Sequence, residues 1–287
     1  MNATPDDRGA ETHCAELVRA QDFPRYASTL FVPAPQRRAL LALYAFNVEI
    51  CRVHTQVSQP LPGEMRLQWW RDVLAGQGHG GIEGNPVAAE LLLTIGAYRL
   101  PNERLVRLIQ EHEFDLYNDP MPTMAALEGY TTDTSSTLFS LAAMVMGPLS
   151  SEVEHLARHA GLAQGLTHVL ASLPLDASQS RLFVPQQVLT KHNCSQEDVF
   201  AGKQTAKLRE ALGDVLVEAR THLDAAYTLL SSVTPDARSA FLPLAQVKRD
   251  LDALSRADRD PFGILPQSRL RTLWTLWRAS RSRAFVF

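Results

Sequence analysis

From about residue 20 onward, apolar positions recur at three- and four-residue steps, and no alternating stretch is long enough to build a sheet. The clearest pattern spans 205–231. There Leu208, Leu212, Val215, Ala219, Leu223, Ala226 and Leu230 fall on one face of a predicted helix. A long apolar-rich helix is expected from Gln36 to Gln56 and is broken by SQPLPG at 58–63. A short amphipathic helix follows in EMRLQWWRDVLAG, then a glycine-rich loop at 76–86. Helices are expected near 86–97, 101–117 and 123–147, with Pro101 and Pro122 at starts and Gly147-Pro148 at a stop. Another is expected over 151–173, ended by Pro174, then a loop through DASQSRLFVPQQVL and a small helix opening at Ser195. Two more are expected near 236–257 and 266–280. The pattern predicts an all-α chain: a partly disordered lead-in over 1–20 and one helical domain over 21–287.

Composition narrows the classes. The 287 residues are 45% hydrophobic, enough for a large core without disulfide or metal staples. A net charge of -3 gives no basic field for nucleic acid, so no nucleic-acid partner is expected. Cys14, Cys51 and Cys194 are few and scattered, which suits a reducing compartment. MNATPDDRGAETH matches neither a secretory signal nor an Arg-rich transit peptide, and no apolar run reaches transmembrane length. The expectation is a cytoplasmic protein. The glycine-rich loop lacks the phosphate-loop lysine pattern and a preceding strand, so no nucleotide site is assigned there.

Three phrases in order resemble the squalene/phytoene synthase superfamily: RYASTLFVPAPQRRALLALYAFNVE at 25–49, MRLQWWRDVL at 65–74, and GLAQGLTHVLASLPLDASQSRLFVP at 161–185. The resemblance covers about residues 20–280. It implies an all-α, isoprenoid-synthase-like domain around a central apolar cavity. Chemistry of that type needs magnesium to neutralise a departing diphosphate, and magnesium needs hard carboxylate ligands. Paired D-x-x-x-D motifs supply them, the i, i+4 spacing stacking both carboxylates on one helix face.

This sequence departs from those motifs. The first pair of aspartate positions falls on Cys51 and Thr55; the second motif reads Gly165, His168, Ser172 and Asp176. Val48 and Ala171 stand where arginines are usual for the superfamily. One aspartate of four does not organise a magnesium cluster, and thiol and imidazole are poor ligands for a hard cation. No catalytic residue, metal or cofactor is therefore assigned; magnesium enters only in the alternative of a prenyltransferase with an altered metal site. The departures are similar to the complex I assembly factor 6-like branch of the superfamily. The matching residues are Phe46–Glu49; Gly63, Met65, Arg66, Gln68 and Trp70; Pro86, Val87 and Glu90; and Ala163, Gln164 and Gly165. This branch implies a non-catalytic role in assembling NADH dehydrogenase, with complex I subunits or assembly intermediates as partners. It also implies a location at the inner membrane, mitochondrial in a eukaryote. A third alternative is an isoprenoid- or lipid-binding protein that uses the cavity without chemistry.

Cavity-lining candidates are Tyr26, Phe46, Val48, Glu49, Tyr130, Gln164 and Gly165. Glu49 equally suits an ion pair with Arg52, and both tyrosines suit a plain core role. Cys51, His54, His168 and Asp176 invite a soft-metal reading, set below that of a small buried thiol. Met65, Trp69 and Trp70 read as a packing face, Arg37 and Arg38 as surface ion pairs, His155 and His159 as a solvated face, and His112, Glu113 and Asp115 as a solvated polar face. The C-terminal stretch carries Arg269, Arg271, Arg278, Arg281 and Arg283 with Trp274 and Trp277 and no acid. It suits an anionic membrane surface or an acidic partner, against the plainer reading of a core-packing helix with an arginine tail.

Overall fold

The computed structural model describes residues 5–77 and 84–282. Most of the glycine-rich loop and Arg283 lie outside that range. Fifteen α-helices occur among the described residues, and no strand. They are α1 (Pro5–Gln21), α2 (Phe23–Thr29), α3 (Ala34–Cys51), α4 (Pro60–Leu74), α5 (Pro86–Tyr98), α6 (Asn102–Glu111), α7 (Met124–Thr131), α8 (Thr137–Met146), α9 (Ser151–Ser178), α10 (Gln186–Lys191), α11 (Gln196–Phe200), α12 (Ala206–Leu230), α13 (Pro235–Ser239), α14 (Leu244–Leu254) and α15 (Arg269–Arg281). Short 3₁₀ turns sit at Val53–Gln56 and Phe114–Leu116, and a π-helical segment at Thr132–Ser136.

Two helices organise the body. α3 is buried around nearly its whole circumference from Ala39 to Val48, as a helix apolar on all sides must be. α9 has 28 residues and spans about 42 Å at 1.5 Å per residue. It packs against α12, α8, the π segment and α14. All seven stripe positions of α12 are buried against this core. Side-chain caps fix several starts: Thr123 Oγ1, Thr205 Oγ1 and Ser195 Oγ accept the amides of Ala126, Leu208 and Asp198.

The helical class and the long apolar helices agree with expectation, the helix expected over 236–257 is split into α13 and α14, and several further local features differ. A helix runs through Pro5–Gln21 where a disordered lead-in was expected over 1–20. It packs on α3 and α5 and buries Cys14 and Val18, so tertiary burial outweighs its polar composition. α9 passes through Pro174 and ends at Ser178. The missing N–H falls in the last turns, and the segment closes by Gln179 N–H to Leu175 O (3.2 Å) and Arg181 N–H to Asp176 O (2.8 Å). The predicted helix over 123–147 is interrupted by the π segment, and the predicted loop after Asp176 contains α10.

Among the described glycines, two on α9 mark close approaches. A Cβ on Gly161 would lie 2.2 Å from the backbone of Ser136, and one on Gly165 would lie 2.3 Å from Thr131 Cγ2. α9 therefore seats directly on the π segment, which holds the end of α7 and its Tyr130 in place.

Candidate functional site

Asp176 stays helical because α9 continues past Pro174, so it shares a face with Ser172, one turn earlier. Ser172 Oγ donates to Asp176 Oδ2 at 2.6 Å, and Arg181 donates to Asp176 Oδ1 at 2.6 Å. Each carboxylate oxygen thus carries a hydrogen bond. Arg181 and Phe183 are held by the segment 181–186, whose Leu182 carbonyl accepts Met121 N–H (2.9 Å) while Gln186 N–H donates to Met121 O (2.8 Å). On α2, Arg25 donates to Asp22 Oδ2 (2.6 Å) and reaches Gln164 Oε1 on α9 (2.7 Å). The same guanidinium lies 5.7 Å from the Tyr44 ring centroid.

These groups border a cavity of about 730 Å³. Its walls come from α2, α3, α9, the end of α7 with the π segment, α14 and the start of α15. Val48, Val169, Phe183, Val247 and Leu265 give it apolar surface. Cys51, His54, His168, Arg181 and Asp250 give it polar surface. Burial lowers the pKa of His168 and of His54, which favours their neutral forms. Burial raises that of Asp250.

One wall carries a connected chain of titratable groups. Cys51 Sγ is 3.6 Å from His112 Nε2, His112 Nδ1 is 2.6 Å from Asp115 Oδ2, and Tyr130 OH donates to Asp115 Oδ1 at 2.9 Å. His112 and Asp115 are 6% and 9% exposed. Burial works against a charged His112, but Cys51 and Asp115 outweigh it and hold its pKa well above the ordinary imidazole range. Burial, and then Asp115, push the Tyr130 phenol well above its usual value.

The structure brings together most of the expected site and separates the rest. Cys51, His168, Ser172, Asp176, Val48, Tyr130, Gln164 and Gly165 line the cavity. Thr55 does not; it is exposed on an adjoining cavity that shares His54, Asp115 and Arg181. Its hydroxyl returns to Arg52 O at 2.8 Å, since the chain has left α3 for a 3₁₀ turn. Phe46 points into the core and meets Trp70 edge-on at 5.1 Å. Glu49 and Tyr26 also lie off the cavity wall. His112 and Asp115 are buried rather than solvated, because the 3₁₀ turn after α6 folds them inward; Glu113 pairs with Arg71 outside. Arg38 is no ordinary surface pair: it grips the buried Glu90 with two hydrogen bonds of 2.7 and 2.6 Å. His159 is half-buried and 2.9 Å from His222. Asp22, Arg25, Arg181 and Asp250 were not foreseen as site residues. Arg25 opens the first phrase that carries the resemblance and Arg181 lies near the end of the third, which was the available signal.

The motif positions do not supply the carboxylate set that magnesium needs. Cys51 and His168 are soft or neutral ligands, Thr55 is elsewhere, and Asp176 is engaged by Arg181 and Ser172. Among the described residues, three donors within metal-binding distance of one another occur at Glu128, Glu218 and His222, none of which lines the cavity.

α15 packs inward through Thr272, Leu276 and Ala279. Outward it shows Leu270, Trp274 and Trp277, which are 80%, 56% and 45% exposed. Arg278 lies over the Trp274 ring at 4.8 Å and Arg281 over Trp277 at 4.9 Å. Arg269 instead turns toward the cavity mouth, 5.0 Å from the Phe23 ring centroid. Among the described residues no helix is long and apolar enough to cross a membrane.

An all-helical body around one amphipathic cavity, with helix-borne polar groups facing into it, defines the isoprenoid-synthase class of fold. A solved squalene synthase from Alicyclobacillus acidocaldarius has the same architecture, with a TM-score of 0.74 at 22% identity, covering 92% of this chain and 98% of that one. Residues 18–278 match the squalene/phytoene synthase family, and the chain belongs to it. Complex I assembly factor 6 of Mus musculus is 33% identical over 258 residues, 90% of this chain and 78% of that protein. Its Drosophila melanogaster homolog is 34% identical over 265 residues, 90% of this chain and 79% of that protein. A presqualene diphosphate synthase of Rhodopseudomonas palustris matches at 27% over 206 residues, 70% of this chain and 72% of that protein.

Proposed function

We propose that this protein acts in the assembly of respiratory complex I through protein contact and does not condense prenyl diphosphates. The observation that carries this reading is Asp176. The remaining motif carboxylate is spent on Arg181 and Ser172, so the face that would hold magnesium has become an internal ion pair. The apolar framework and the cavity persist around it, and relatives that match 90% of the chain bear the assembly-factor name. The cavity, part apolar and part polar, suits an isoprenoid or other lipid held without turnover.

The site of action is the cytoplasmic face of an inner membrane, or the mitochondrial inner membrane in a eukaryote, with peripheral contact through α15. The support is the charge of that helix: no acid follows Asp260, and Leu270, Trp274 and Trp277 project between arginines.

The deciding experiment deletes the gene and measures membrane NADH:quinone activity and the amount of assembled complex I. Both are expected to fall and to return with the wild-type gene. Normal complex I without the gene refutes the role. In parallel, purified protein is incubated with farnesyl or geranylgeranyl diphosphate and magnesium. Metal-dependent pyrophosphate release at about 1 per second or faster refutes the non-condensing reading.

A further inference from the structure

We propose that Cys51 is a nucleophilic thiol that accepts the acyl group of an apolar-chain acyl thioester bound in the cavity. This stands independently of the assembly role. It rests on three groups that are far apart in sequence and meet at one wall. Cys51 ends α3, His112 caps α6, and Asp115 lies in the following 3₁₀ turn. Their order in space is thiol, imidazole, carboxylate, at 3.6 Å and 2.6 Å. That arrangement is what a cysteine nucleophile needs: a base within reach of the sulfur, and a third group that fixes the base. Asp115 accepts from Nδ1 and so leaves Nε2 facing Cys51. Tyr130 donates to the same carboxylate and holds its plane. All four residues line the cavity, the space a substrate would occupy.

The other two cysteines have no such setting. Cys14 is buried between α1 and the core, with its thiol pushed up to about 12, first by burial. Cys194 is also pushed up by burial, and its sulfur lies 3.9 Å from a backbone carbonyl, that of His192. The chemistry proposed for Cys51 balances without an oxidant or a metal. With the proton shared by Cys51 Sγ and His112 Nε2 held on the imidazole, the sulfur attacks the acyl carbonyl carbon. The tetrahedral adduct collapses, the bond to the leaving sulfur breaks, and that sulfur takes the proton from His112. The acyl group remains on Cys51 as a thioester, and a free thiol is released. Arg181 lines the same cavity, its guanidinium held by Asp176. A volume of about 730 Å³ with valine, leucine and phenylalanine in the wall accommodates a medium-length chain.

The test uses full-length protein and the decanoyl thioester of N-acetylcysteamine, with peptide mass spectrometry as readout. The expected result is a decanoyl adduct on Cys51, matched by release of one equivalent of thiol, and none on Cys14 or Cys194. Cys51→Ser abolishes the adduct, and His112→Gln slows its formation at least tenfold while the helical circular dichroism is unchanged. The acetyl analogue needs at least tenfold higher concentration for the same rate. Should His112→Gln fail to fold, wild-type iodoacetamide labelling decides. Cys51 is then expected to react at least tenfold faster than Cys194 at pH 6.5. An absent adduct, an adduct spread over all three cysteines, or equal labelling of Cys51 and Cys194 overturns the nucleophile. Equal rates with the acetyl and decanoyl probes overturn the apolar-chain class.

Discussion

Replacing Gly161 by alanine adds one methyl group at the tightest contact described above. The new Cβ would sit 2.2 Å from both Cα and N of Ser136. Carbon atoms in good contact stand about 3.5–4.0 Å apart, so α9 and the π segment must separate by more than about 1 Å. The obstruction is backbone, which no rotamer change relieves. Ser136 is further tied to α9, its Oγ donating to Arg158 O at 2.9 Å. Overpacking a rigid core costs about 1–3 kcal/mol and more where nothing yields, against a helix-propensity gain of about 1 kcal/mol for Gly→Ala. The expected net loss is about 2 kcal/mol, a fall in Tm of about 4–8 °C at about 2–4 °C per kcal/mol. Gly213→Ala is the internal control. It lies in the interior of α12 with nothing within 4 Å of an added Cβ, so the same chemistry should stabilise by about 0.5–1 kcal/mol. Urea and thermal unfolding of both variants check this. If Gly161→Ala is as stable as wild type, or the two variants shift the same way, the close-approach argument fails.

Arg38→Met strips the guanidinium from a carboxylate on Glu90 that is 1% exposed, and should cost about 3–5 kcal/mol in urea unfolding. Arg38→Met with Glu90→Met should recover most of that; no recovery would mean the loss is packing, not charge. His168 has a folded pKa below its unfolded value, chiefly through burial, so it takes up protons more readily when unfolded. Its contribution is therefore fully present above the unfolded value near 6.5 and is lost as pH falls toward the folded pKa. His168→Gln should flatten the stability–pH curve below about pH 6.5, and an unchanged curve there excludes the assignment. At α15, vesicles with anionic lipid should bind the protein at low salt and release it as salt rises, because exposed charges are screened over about 8 Å at physiological ionic strength. Trp274→Ala with Trp277→Ala should weaken that binding, and equal binding to neutral vesicles at any salt would contradict the membrane reading.

Local periodicity determined much of this protein. The stripe from Leu208 to Leu230, the helix start at Ser195 and the absence of strand alternation all act within a few turns of chain, and the described residues follow them. The replaced aspartates at 51, 55 and 172 and the surviving phrases were equally plain, and they carried the family. Positions that depend on distant partners were not legible. α1 is polar enough to read as a tail, and it folds because α3 and α5 offer a surface for Cys14 and Val18. α9 continues past Pro174, which keeps Ser172 and Asp176 on one face. Adjacent helix positions differ by about 100° in direction. Val48 therefore reaches the cavity while Glu49 misses it, and no spacing rule states which of the two faces inward. The wall of Cys51, His112, Asp115 and Tyr130 joins groups up to 79 positions apart, the sequence separation of its first and last members. Only the packing of α3, α6 and α7 places those groups within hydrogen-bond reach, because a helix fixes the spacing of its own side chains and leaves their partners to the way helices meet.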